Sequence, residues 1–287
     1  MSSDASTRAY AITRVYRDHQ DSLDDELVIE EPMELRIDFE LAGHRAQRSL
    51  AITMRTPGDD PHLARGFLLT EGIISKEADL LDLQRCSDGG DEASPNIWRA
   101  TLAPGCNFDP GRLQRHFYST SSCGVCGKAS LDALHHQGVM PVTAGPVINA
   151  DLLFELPDRL RAAQATFDRT GGLHACALFS PGGQLLDLAE DVGRHNALDK
   201  LLGRALRQGL LPLSEHILLL SGRASFELIQ KSLVAGIPIV AAVGAPSSLA
   251  LDLSQTYAQT LVGFLRDQRL NLYTHPQRLR CPDERQR

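Results

Sequence analysis

Residues 217–248 read ILLLSGRASFELIQKSLVAGIPIVAAVGAPSS, and this stretch decides the fold class. Ile217–Leu220 is a short, fully apolar run, which is typical of a strand buried on both faces. Phe226–Val234 has apolar residues at helical spacing, and residues 237–243 form a second apolar run. A strand, a helix and another strand in succession predict two parallel strands joined by a helical crossover.

The same alternation continues on both sides of this stretch. Further strands are predicted at residues 173–179, 185–188, 261–265 and 270–273. Further helices are predicted at residues 195–207 and from 248 to about 259. Strands that alternate with helices indicate a layered α/β domain whose sheet is partly parallel.

The first half of the chain has a different pattern. Apolar residues alternate with polar ones through residues 33–54 around a turn at residues 42–43, which predicts a hairpin. Asp-Asp-Pro at residues 59–61 predicts a helix with an acidic N-cap, and Gly72 predicts its end. Residues 97–99 predict a strand at a sheet edge that loops interrupt.

These patterns divide the chain into four predicted parts. They are a loose polar leader with one edge strand at residues 1–30, a small α+β domain at 31–118, a mobile loop and helix at 119–140, and an α/β domain at 141–280. The boundary between the two domains is therefore expected between residues 119 and 141.

Composition and charge exclude several classes of protein. The 287-residue chain is 43% hydrophobic with a formal net charge of −7, which favours a folded globular protein over a disordered one. A negative chain has no overall attraction to DNA, RNA or an anionic membrane. The polar first residues lack a secretory signal and no apolar run is long enough to span a bilayer. We therefore expect a cytoplasmic protein.

Two loops in the decisive stretch have the shape of anion sites. Residues 221–225 and 243–248 each follow an apolar strand and open a helix, whose free N–H groups attract anions. Arg223 adds a guanidinium that suits a phosphate. For either loop alone, a simpler interpretation is that Ser225 and Ser248 are ordinary helix caps.

A dense polar cluster, Glu-Asp-Val-Gly-Arg-His-Asn, occupies residues 190–196 between a strand and a helix. This composition is unusual for pure scaffolding, although Asp191 would also serve as a cap and Arg194 as its ion-pair partner. The Thr-Gly-Gly-Leu-His sequence at residues 170–174 is a glycine turn that leads into a strand. His174 at its end is either a ligand-binding side chain or a satisfied core histidine.

Cys123 and Cys126 are the only closely spaced pair among six cysteines, and they lie in a Cys-Gly-Val-Cys-Gly-Lys sequence. A thiol beside Lys128 and a helix start favours the reactive thiolate. Four interpretations stay open: half of a zinc site, a thioredoxin-like redox pair, a persulfide carrier, or two unrelated structural cysteines. A structural zinc site needs four ligands, and a second close pair is missing apart from His135 and His136.

Six segments together resemble the FdhD/NarQ family of formate dehydrogenase accessory sulfurtransferases. They are GFLLTEG at 66–72, CGVCGK at 123–128, TGGLH at 170–174, EDVGRHN at 190–196, SGRASFE at 221–227 with Lys231, and GIPIVAAVGAPSS at 236–248. The resemblance follows the family order over about residues 30–280, so a chance match is very unlikely.

The resemblance implies a cytidine-deaminase-like α/β core with a small extra N-terminal domain. It implies that sulfur passes from a cysteine desulfurase to the cysteine pair as a persulfide, with Cys123 as the usual carrier. The sulfur then passes to the bis-molybdopterin guanine dinucleotide molybdenum cofactor, bound as a substrate for the catalytic subunit of a formate dehydrogenase. Deaminase chemistry is not implied, because it needs a His-x-Glu sequence and Cys176 takes the place of that glutamate after His174. We expect no bound zinc.

The resemblance also places a cofactor-binding segment at Phe264, Leu265, Arg266, Asp267, Gln268 and Arg269. Together with the anion loops and the polar cluster, it leads us to assign cofactor binding to further residues of the α/β domain. These are Gly171, His174, Asp191, Arg194, His195, Gly222, Arg223 and Ser225. The loops suit the guanine nucleotide part of the cofactor. We also expect a homodimer that has neither nucleic-acid nor membrane partners.

Two rival functions come from other classes. The first is a molybdenum-cofactor chaperone in which sulfur has no part, and retained activity after loss of both Cys123 and Cys126 distinguishes it. The second is a zinc hydrolase, which metal analysis of the purified protein distinguishes.

Overall fold

The computed structural model describes residues 6–41, 43–86, 96–106, 108 and 138–281. Its strands in chain order are β1 (Thr7–Val15), β2 (Gln20–Val28), β3 (Glu31–Leu41), β4 (His44–Arg55), β5 (Leu80–Arg85), β6 (Ile97–Leu102), β7 (Ile148–Asn149), β8 (His174–Phe179), β9 (Leu185–Asp191), β10 (Ile217–Leu220), β11 (Ile239–Ala242), β12 (Thr260–Arg266), β13 (Arg269–Thr274) and β14 (Leu279–Arg280). Its helices are α1 (Asp60–Thr70), α2 (Ala150–Ala163), α3 (Ala165–Thr170), α4 (Arg194–Arg207), α5 (Phe226–Val234) and α6 (Ser248–Thr256). Within these ranges no helix is long and apolar enough to cross a membrane.

The second half of the chain is built on a six-stranded mixed sheet in the order β13-β12-β11-β10-β8-β9. Strands β10, β11 and β12 are parallel to one another, as the decisive stretch predicts. Strand β8 runs antiparallel to β10, and β9 and β13 each return antiparallel beside their sequence neighbours. The predicted α/β class with a partly parallel sheet is therefore confirmed.

This sheet is covered on both faces, because successive residues of its strands point in opposite directions. In β10, Leu218 and Leu220 pack with α4, α5 and α6, whereas Ile217 and Leu219 pack with α2. All four side chains are at most 2% exposed. Burying a side chain of this size contributes about 1.5–3 kcal/mol, so a fully apolar strand stabilises both layers at once.

The predicted elements of this domain are present, with ends that shift by one to three residues. The two largest shifts are at the end of β9, which continues to Asp191 rather than ending at residue 188, and at the end of α6, which stops at Thr256 rather than near residue 259. Ala258 has φ 57°, in the left-handed region that ends a helix.

The first half contains a separate four-stranded sheet in the order β4-β3-β6-β5. Strands β3 and β4 form the predicted hairpin, with Leu41 opposite His44 at its turn. The alternate residues Met33, Leu35, Ile37 and Phe39 are buried with the apolar side of α1. The sheet and helix agree with the predicted α+β character of this half. The predicted domain boundary stays a prediction, since residues 109–137 lie outside the described residues.

The prediction of a loose leader with one edge strand is wrong for residues 7–28. They form a two-stranded antiparallel ribbon, β1–β2, paired from Thr7 opposite Val28 to Val15 opposite Gln20. The acidic residues of β2 suggested a solvated segment. In the strand they are divided between its two sides, and one of these sides also carries Leu23 and Leu27. The base of the ribbon contacts α3 through Glu26 and Arg169, whose Oε2 and Nε atoms are 3.4 Å apart.

Helix α1 begins where predicted, but its predicted acidic cap is wrong. Asp59 has φ 57° and its side chain makes no capping hydrogen bond. Its carboxylate instead accepts a hydrogen bond of 2.6 Å from Nη1 of Arg204 in α4. Asp60 accepts two hydrogen bonds, of 2.9 and 3.0 Å, from the buried guanidinium of Arg55. Both carboxylates are thus bound by arginine side chains instead of the helix end, one from α4 and one from the preceding strand β4.

Helices α1 and α4 join the two halves through direct backbone contact. A Cβ atom added at Gly66 would lie 1.8 Å from the carbonyl oxygen of Asp199. One added at Gly203 would lie 1.9 Å from the carbonyl oxygen of His62. Only glycine permits this approach, and the reason is space, since neither residue has a positive φ.

A buried cation next to this contact links the same helices to α5. Nζ of Lys231 donates hydrogen bonds to both carboxylate oxygens of Asp199, at 3.0 and 2.9 Å, and to Oγ1 of Thr70 at 2.7 Å. Glu71 adds a second carboxylate at 3.6 Å. Burial works against the charge, but Asp199 and Glu71 outweigh it and raise the pKa of Lys231. The ammonium group is therefore charged at neutral pH.

Replacing Gly203 with alanine should lower the free energy of unfolding by about 1–3 kcal/mol or more, because the added methyl overlaps the backbone of α1. In a helix without this contact the same change stabilises by about 0.5–1 kcal/mol. Urea unfolding measures the difference. Gly182→Ala is the matched control, since its nearest neighbour would be 3.8 Å away. Equal stability of Gly203→Ala and the parent would contradict the contact.

Candidate functional site

Strand direction brings the predicted site residues to one edge of the six-stranded sheet. The parallel strands β10, β11 and β12 end there, so residues 221–225, 243–248 and 264–268 follow one another along that edge. Strand β8 is antiparallel to β10 and begins at the same edge with His174. Strand β9 ends there with Asp191, directly opposite His174. The carboxyl edge of such a sheet is where ligands of α/β proteins usually bind.

The three loops at this edge are hydrogen-bonded to one another through their backbones. The N–H of Gly244 donates to the carbonyl of Gly222 at 2.9 Å, and the N–H of Phe264 donates to the carbonyl of Gly244 at 3.0 Å. The N–H of Ser247 donates to the carbonyl of Ala224 at 3.0 Å. A Cβ atom at Gly244 would lie 3.0 Å from the carbonyl oxygen of Gly222, so glycine permits the close approach.

The first loop presents Gly222, Arg223 and Ser225 at this edge, as the anion-loop prediction expects. Arg223 is exposed. A Cβ atom at Gly222 would lie 3.5 Å from Nδ1 of His174, so the loop backbone lies against that ring. The simpler interpretation of the two serines is wrong in detail. Ser225 starts α5 without a side-chain capping bond, and Ser247, not Ser248, caps α6 by accepting from the N–H of Ala250.

The segment 264–269 forms the turn between β12 and β13, and it divides into three parts. Phe264 lies at the site edge with φ 52°, a strained value for a non-glycine residue. The side chain of Leu265 is fully buried in the core beneath α2, so only its main chain is placed to reach a ligand, and its assignment to cofactor binding stays a prediction. Arg266, Asp267, Gln268 and Arg269 are exposed at the turn, and the guanidinium of Arg266 lies 6.0 Å from the Phe264 ring.

Asp191 is completely buried, and its assignment as a direct cofactor contact is corrected on that ground. Its carboxylate lies 2.6 Å from Nζ of Lys200. It also accepts from three other groups: the N–H of Gly193 at 2.8 Å, Nδ2 of Asn196 at 3.1 Å, and the N–H of Thr56 at 3.2 Å. Because these donors occupy both oxygens, Asp191 holds the start of α4 against β4 and does not face a ligand.

Arg194 and His195 form the first turn of α4 at the same edge, and both are partly exposed. This helix start has no side-chain cap and no acidic residue in its first turn. Nε of Arg194 is buried without a hydrogen-bond partner among the described residues. A helix N-terminus with two basic side chains suits a negatively charged group.

Glu227 in the first turn of α5 belongs to this site and was missed from the sequence-based assignment. Its Oε2 lies 3.7 Å from Nε2 of His195, which is also 3.5 Å from Oγ of Ser225. His195 chiefly lowers the pKa of Glu227, to about 2. Solvent screens this pair, because the Glu227 side chain is 58% exposed. The available signal was spacing: Glu227 and Lys231 are four apart on α5, as His195 and Asp199 are on α4.

His174 completes the edge as a neutral imidazole. Burial lowers its pKa, and the nearby charges of Arg194 and His195 lower it further. A neutral ring donates from one nitrogen and accepts at the other, so His174 is suited to hydrogen bonding with a ligand. Gly171 lies one turn before β8 as the left-handed end of α3, with φ 65°, and is exposed.

Cys123 and Cys126 lie outside the described residues, so their assignment stays a prediction. Cys176 is buried, with its thiol 3.8 Å from the carbonyl oxygen of Arg194, and burial raises its pKa. It is therefore an unreactive thiol of the core. Among the residues that the structure describes, no group of three or more His, Cys, Asp and Glu side chains could hold a metal ion.

Replacing Lys200 with methionine should cost about 3–5 kcal/mol of unfolding free energy, because it leaves the buried Asp191 carboxylate without its cation. Urea unfolding measures this loss. The double variant Lys200→Met, Asp191→Asn should recover part of it. Arg194→Ala is the control, since Arg194 lies on the same helix but is partly exposed. A Lys200→Met protein as stable as the parent would return Asp191 to the ligand-binding residues.

Comparison with known proteins finds relatives along most of the chain. A sequence model of the FdhD/NarQ family matches residues 28–280. The sulfur carrier protein FdhD of Streptomyces coelicolor is 51% identical over 259 residues, which is 89% of each chain. That of Mycolicibacterium paratuberculosis is 49% identical over 256 residues, covering 88% of this chain and 91% of the relative.

A solved structure has the same fold. It is a protein of Desulfotalea psychrophila assigned as a formate dehydrogenase accessory protein, and it superposes with a TM-score of 0.71 over 96% of this chain and 100% of its own. Its sequence identity is 21%, so this likeness bears on the fold alone. The family match and the relatives confirm the resemblance that the six motifs indicate: this chain belongs to the FdhD/NarQ family.

Proposed function

We propose that this protein is a sulfurtransferase for formate dehydrogenase. It accepts sulfur from a cysteine desulfurase as a cysteine persulfide and transfers it to the bis-molybdopterin guanine dinucleotide cofactor, held as a substrate. The observation that carries the proposal is the identity of about half the sequence to proteins named sulfur carrier protein FdhD. The cluster of backbone-linked loops and basic side chains at one sheet edge supports the binding half of the proposal.

The first step is thiol–persulfide exchange at Cys123. Its thiolate attacks the outer sulfur of the desulfurase persulfide, so a new S–S bond forms on Cys123 while the old one breaks. The desulfurase cysteine leaves as a thiolate, and no external oxidant or reductant is needed. Cys126 either shares the persulfide or attacks the inner sulfur on Cys123, which forms a Cys123–Cys126 disulfide and releases the outer sulfur as sulfide.

The second step delivers the outer sulfur to molybdenum. The S–S bond on Cys123 breaks, the Cys123 thiolate is regenerated, and the sulfur becomes a terminal ligand of the metal. A reduced molybdenum centre supplies the two electrons that convert the sulfane sulfur to sulfide. The loaded cofactor then passes to the catalytic subunit of the dehydrogenase.

The residues at the sheet edge have separate roles in holding the guanine nucleotide part of the cofactor. Arg223, Arg194 and His195 contact phosphate oxygens, because basic side chains at helix starts suit anions. His174 hydrogen-bonds to the ligand. Phe264 and residues 266–269 form one side of the binding site. Asp191 and Lys200 position the start of α4 without touching the ligand.

We also propose a cytoplasmic protein that forms a homodimer, with the cysteine desulfurase and the dehydrogenase subunit as its partners. The layering of the α/β domain is proposed to be cytidine-deaminase-like. The run of three parallel strands beside the antiparallel pair β8–β9, with helices on both faces, supports this layering. Zinc has no part in the proposed chemistry.

A cofactor-binding chaperone without sulfur transfer is the second candidate. One observation favours it: the basic side chains and helix starts at the sheet edge, which suit an anion, do not include Cys123 or Cys126. The two candidates share the ligand and differ only in whether a cysteine carries sulfur.

Incubation with a cysteine desulfurase and cysteine should add the mass of one sulfur atom to the intact protein, because the Cys123 thiolate captures the persulfide sulfur. Mass spectrometry without reducing agent measures the gain. Cys123→Ala should lose it, while Cys176→Ala is the control, since that thiol is buried. A gain lost only in Cys126→Ala would move the role to Cys126.

The same assay separates the two candidates. Absence of any sulfur gain in the parent protein would contradict the sulfurtransferase. Full maturation of formate dehydrogenase by a Cys123→Ala, Cys126→Ala double variant would establish the chaperone in its place.

Replacing Arg223 with alanine should weaken binding of GDP, the probe for the nucleotide part of the cofactor. A charge-assisted hydrogen bond contributes about 1.5–3 kcal/mol, which corresponds to roughly tenfold or more in affinity. Calorimetry measures the change, and a melting curve should show an intact fold because the side chain is exposed. Arg207→Ala, an exposed arginine at the far end of α4, is the control. Unchanged affinity would remove Arg223 from the site.

A further inference from the structure

The β1–β2 ribbon is the part of the described chain that the proposed function leaves unexplained. It precedes the region matched by the family, which begins at residue 28. A ribbon of two strands is marginally stable in water unless something packs against it. Two of its contacts lie at its base: Glu26 with Arg169 of α3, and Val28 with Gly172 just after that helix. The described residues beyond the base are mostly exposed, which leaves them available to a partner.

One side of the ribbon combines apolar and charged residues, and we call it the ribbon face. Alternate residues of a strand share a side, and the strand pairing aligns those of β1 with those of β2. The opposed pairs are Arg8 with Leu27, Tyr10 with Asp25, Ile12 with Leu23, and Arg14 with Asp21. Tyr10 and Leu27 are each 45% exposed.

Charge on the ribbon face is separated by strand. Strand β1 contributes the cations Arg8 and Arg14, whereas β2 contributes the anions Asp21 and Asp25. Along the ribbon, the apolar pair Ile12 and Leu23 lies between the pair Arg14 and Asp21 and the pair Tyr10 and Asp25. A surface with one basic and one acidic border is complementary to a copy of itself, provided that the copy is turned so that opposite borders meet.

Two copies related by a two-fold axis can pack face to face in two ways, and the direction of the axis decides whether the basic border of one copy meets the acidic border of the other. An axis perpendicular to the strands places β1 over β1 of the second copy, with arginine facing arginine. An axis parallel to the strands places β1 over β2 of the second copy, at the same level along the ribbon. Arg14 then faces Asp21, and Ile12 faces Leu23, across the interface. Opposite charges and apolar side chains are matched only in this second arrangement.

We propose that the ribbon face binds the ribbon face of a second copy of this chain, about a two-fold axis parallel to the strands. This deepens the homodimer proposed above by naming its surface. A nine-residue strand is about 30 Å long, and two such narrow faces bury less than the roughly 1,600 Å² of a standard interface. The dimer should accordingly be weak and dissociate on dilution.

Sedimentation of the full-length protein over a range of concentrations tests the surface. The parent should pass from monomer to dimer as concentration rises, and Ile12→Asp should stay monomeric because it places a carboxylate against the apolar pair. Thr13→Asp is the matched control, since it lies on the same strand but on the opposite side, facing Ser22. It should dimerise like the parent. Circular dichroism confirms that both variants are folded.

A charge exchange separates contact between copies from stability of the ribbon itself. Arg14→Asp and Asp21→Arg should each weaken the dimer at least tenfold, because like charges then meet across the interface. An equimolar mixture of the two variants should dimerise again, since opposite charges face each other in both contacts of the mixed pair. The opposed residues 14 and 21 within each chain stay mismatched in the mixture, so recovery reports the interface alone.

The outcomes distinguish the surface from the homodimer and from the sulfur chemistry. A parent protein that is monomeric at every concentration would overturn both the surface and the homodimer. A dimer that Ile12→Asp leaves intact, or a mixture that does not recover, would overturn the surface while the homodimer stands. The sulfur gain at Cys123 is measured separately and is unaffected by either result.

Discussion

The backbone contact between α1 and α4 is the constraint on which the rest of the structure depends. Gly66 and Gly203 let the two helices approach until main-chain atoms touch, and this brings the first half of the chain against the six-stranded sheet. The approach places Thr70 beside Lys231 and Asp199, and Thr56 beside Asp191 and Lys200. The helix that begins the candidate site is thus held by residues from the other half of the molecule.

Two polar pairs join α4 and α5, and they differ in burial. The inner pair, Asp199 with Lys231, is buried at the junction of the two halves. The outer pair, His195 with Glu227, lies one helical turn away at the site edge and is open to solvent. Each helix therefore contributes one buried residue, Asp199 or Lys231, that stabilises the junction. The residue four positions earlier in each helix, His195 or Glu227, lies at the candidate site. Buried charged residues therefore position the helices, and exposed ones are available to a ligand. The sequence alone does not reveal which of them are buried.

The sequence predicts the α/β half well because apolar periodicity there reports burial directly, as in the fully apolar β10. It predicts the clustering of loops at one edge because parallel strands must end together. It fails where a distant partner decides the outcome. Asp59 leaves its helix end for Arg204, and Asp191 is buried by Lys200 and Thr56. The sequence also does not reveal that the side chain of Leu265 is buried or that Glu227 lies beside His195, because the first depends on packing in the core and the second on the approach of α4 and α5.

The hydrogen bonds that join the three loops at the sheet edge are main-chain bonds: the N–H of Phe264 donates to the carbonyl of Gly244, and the N–H of Gly244 donates to the carbonyl of Gly222. Main-chain bonds are indifferent to side-chain identity, provided that Gly222 and Gly244 are kept. The exposed side chains between them, such as Arg223, can therefore be exchanged without rebuilding the edge. Substitutions at exposed positions such as Arg223 should therefore change which ligand binds without changing the backbone of the loops.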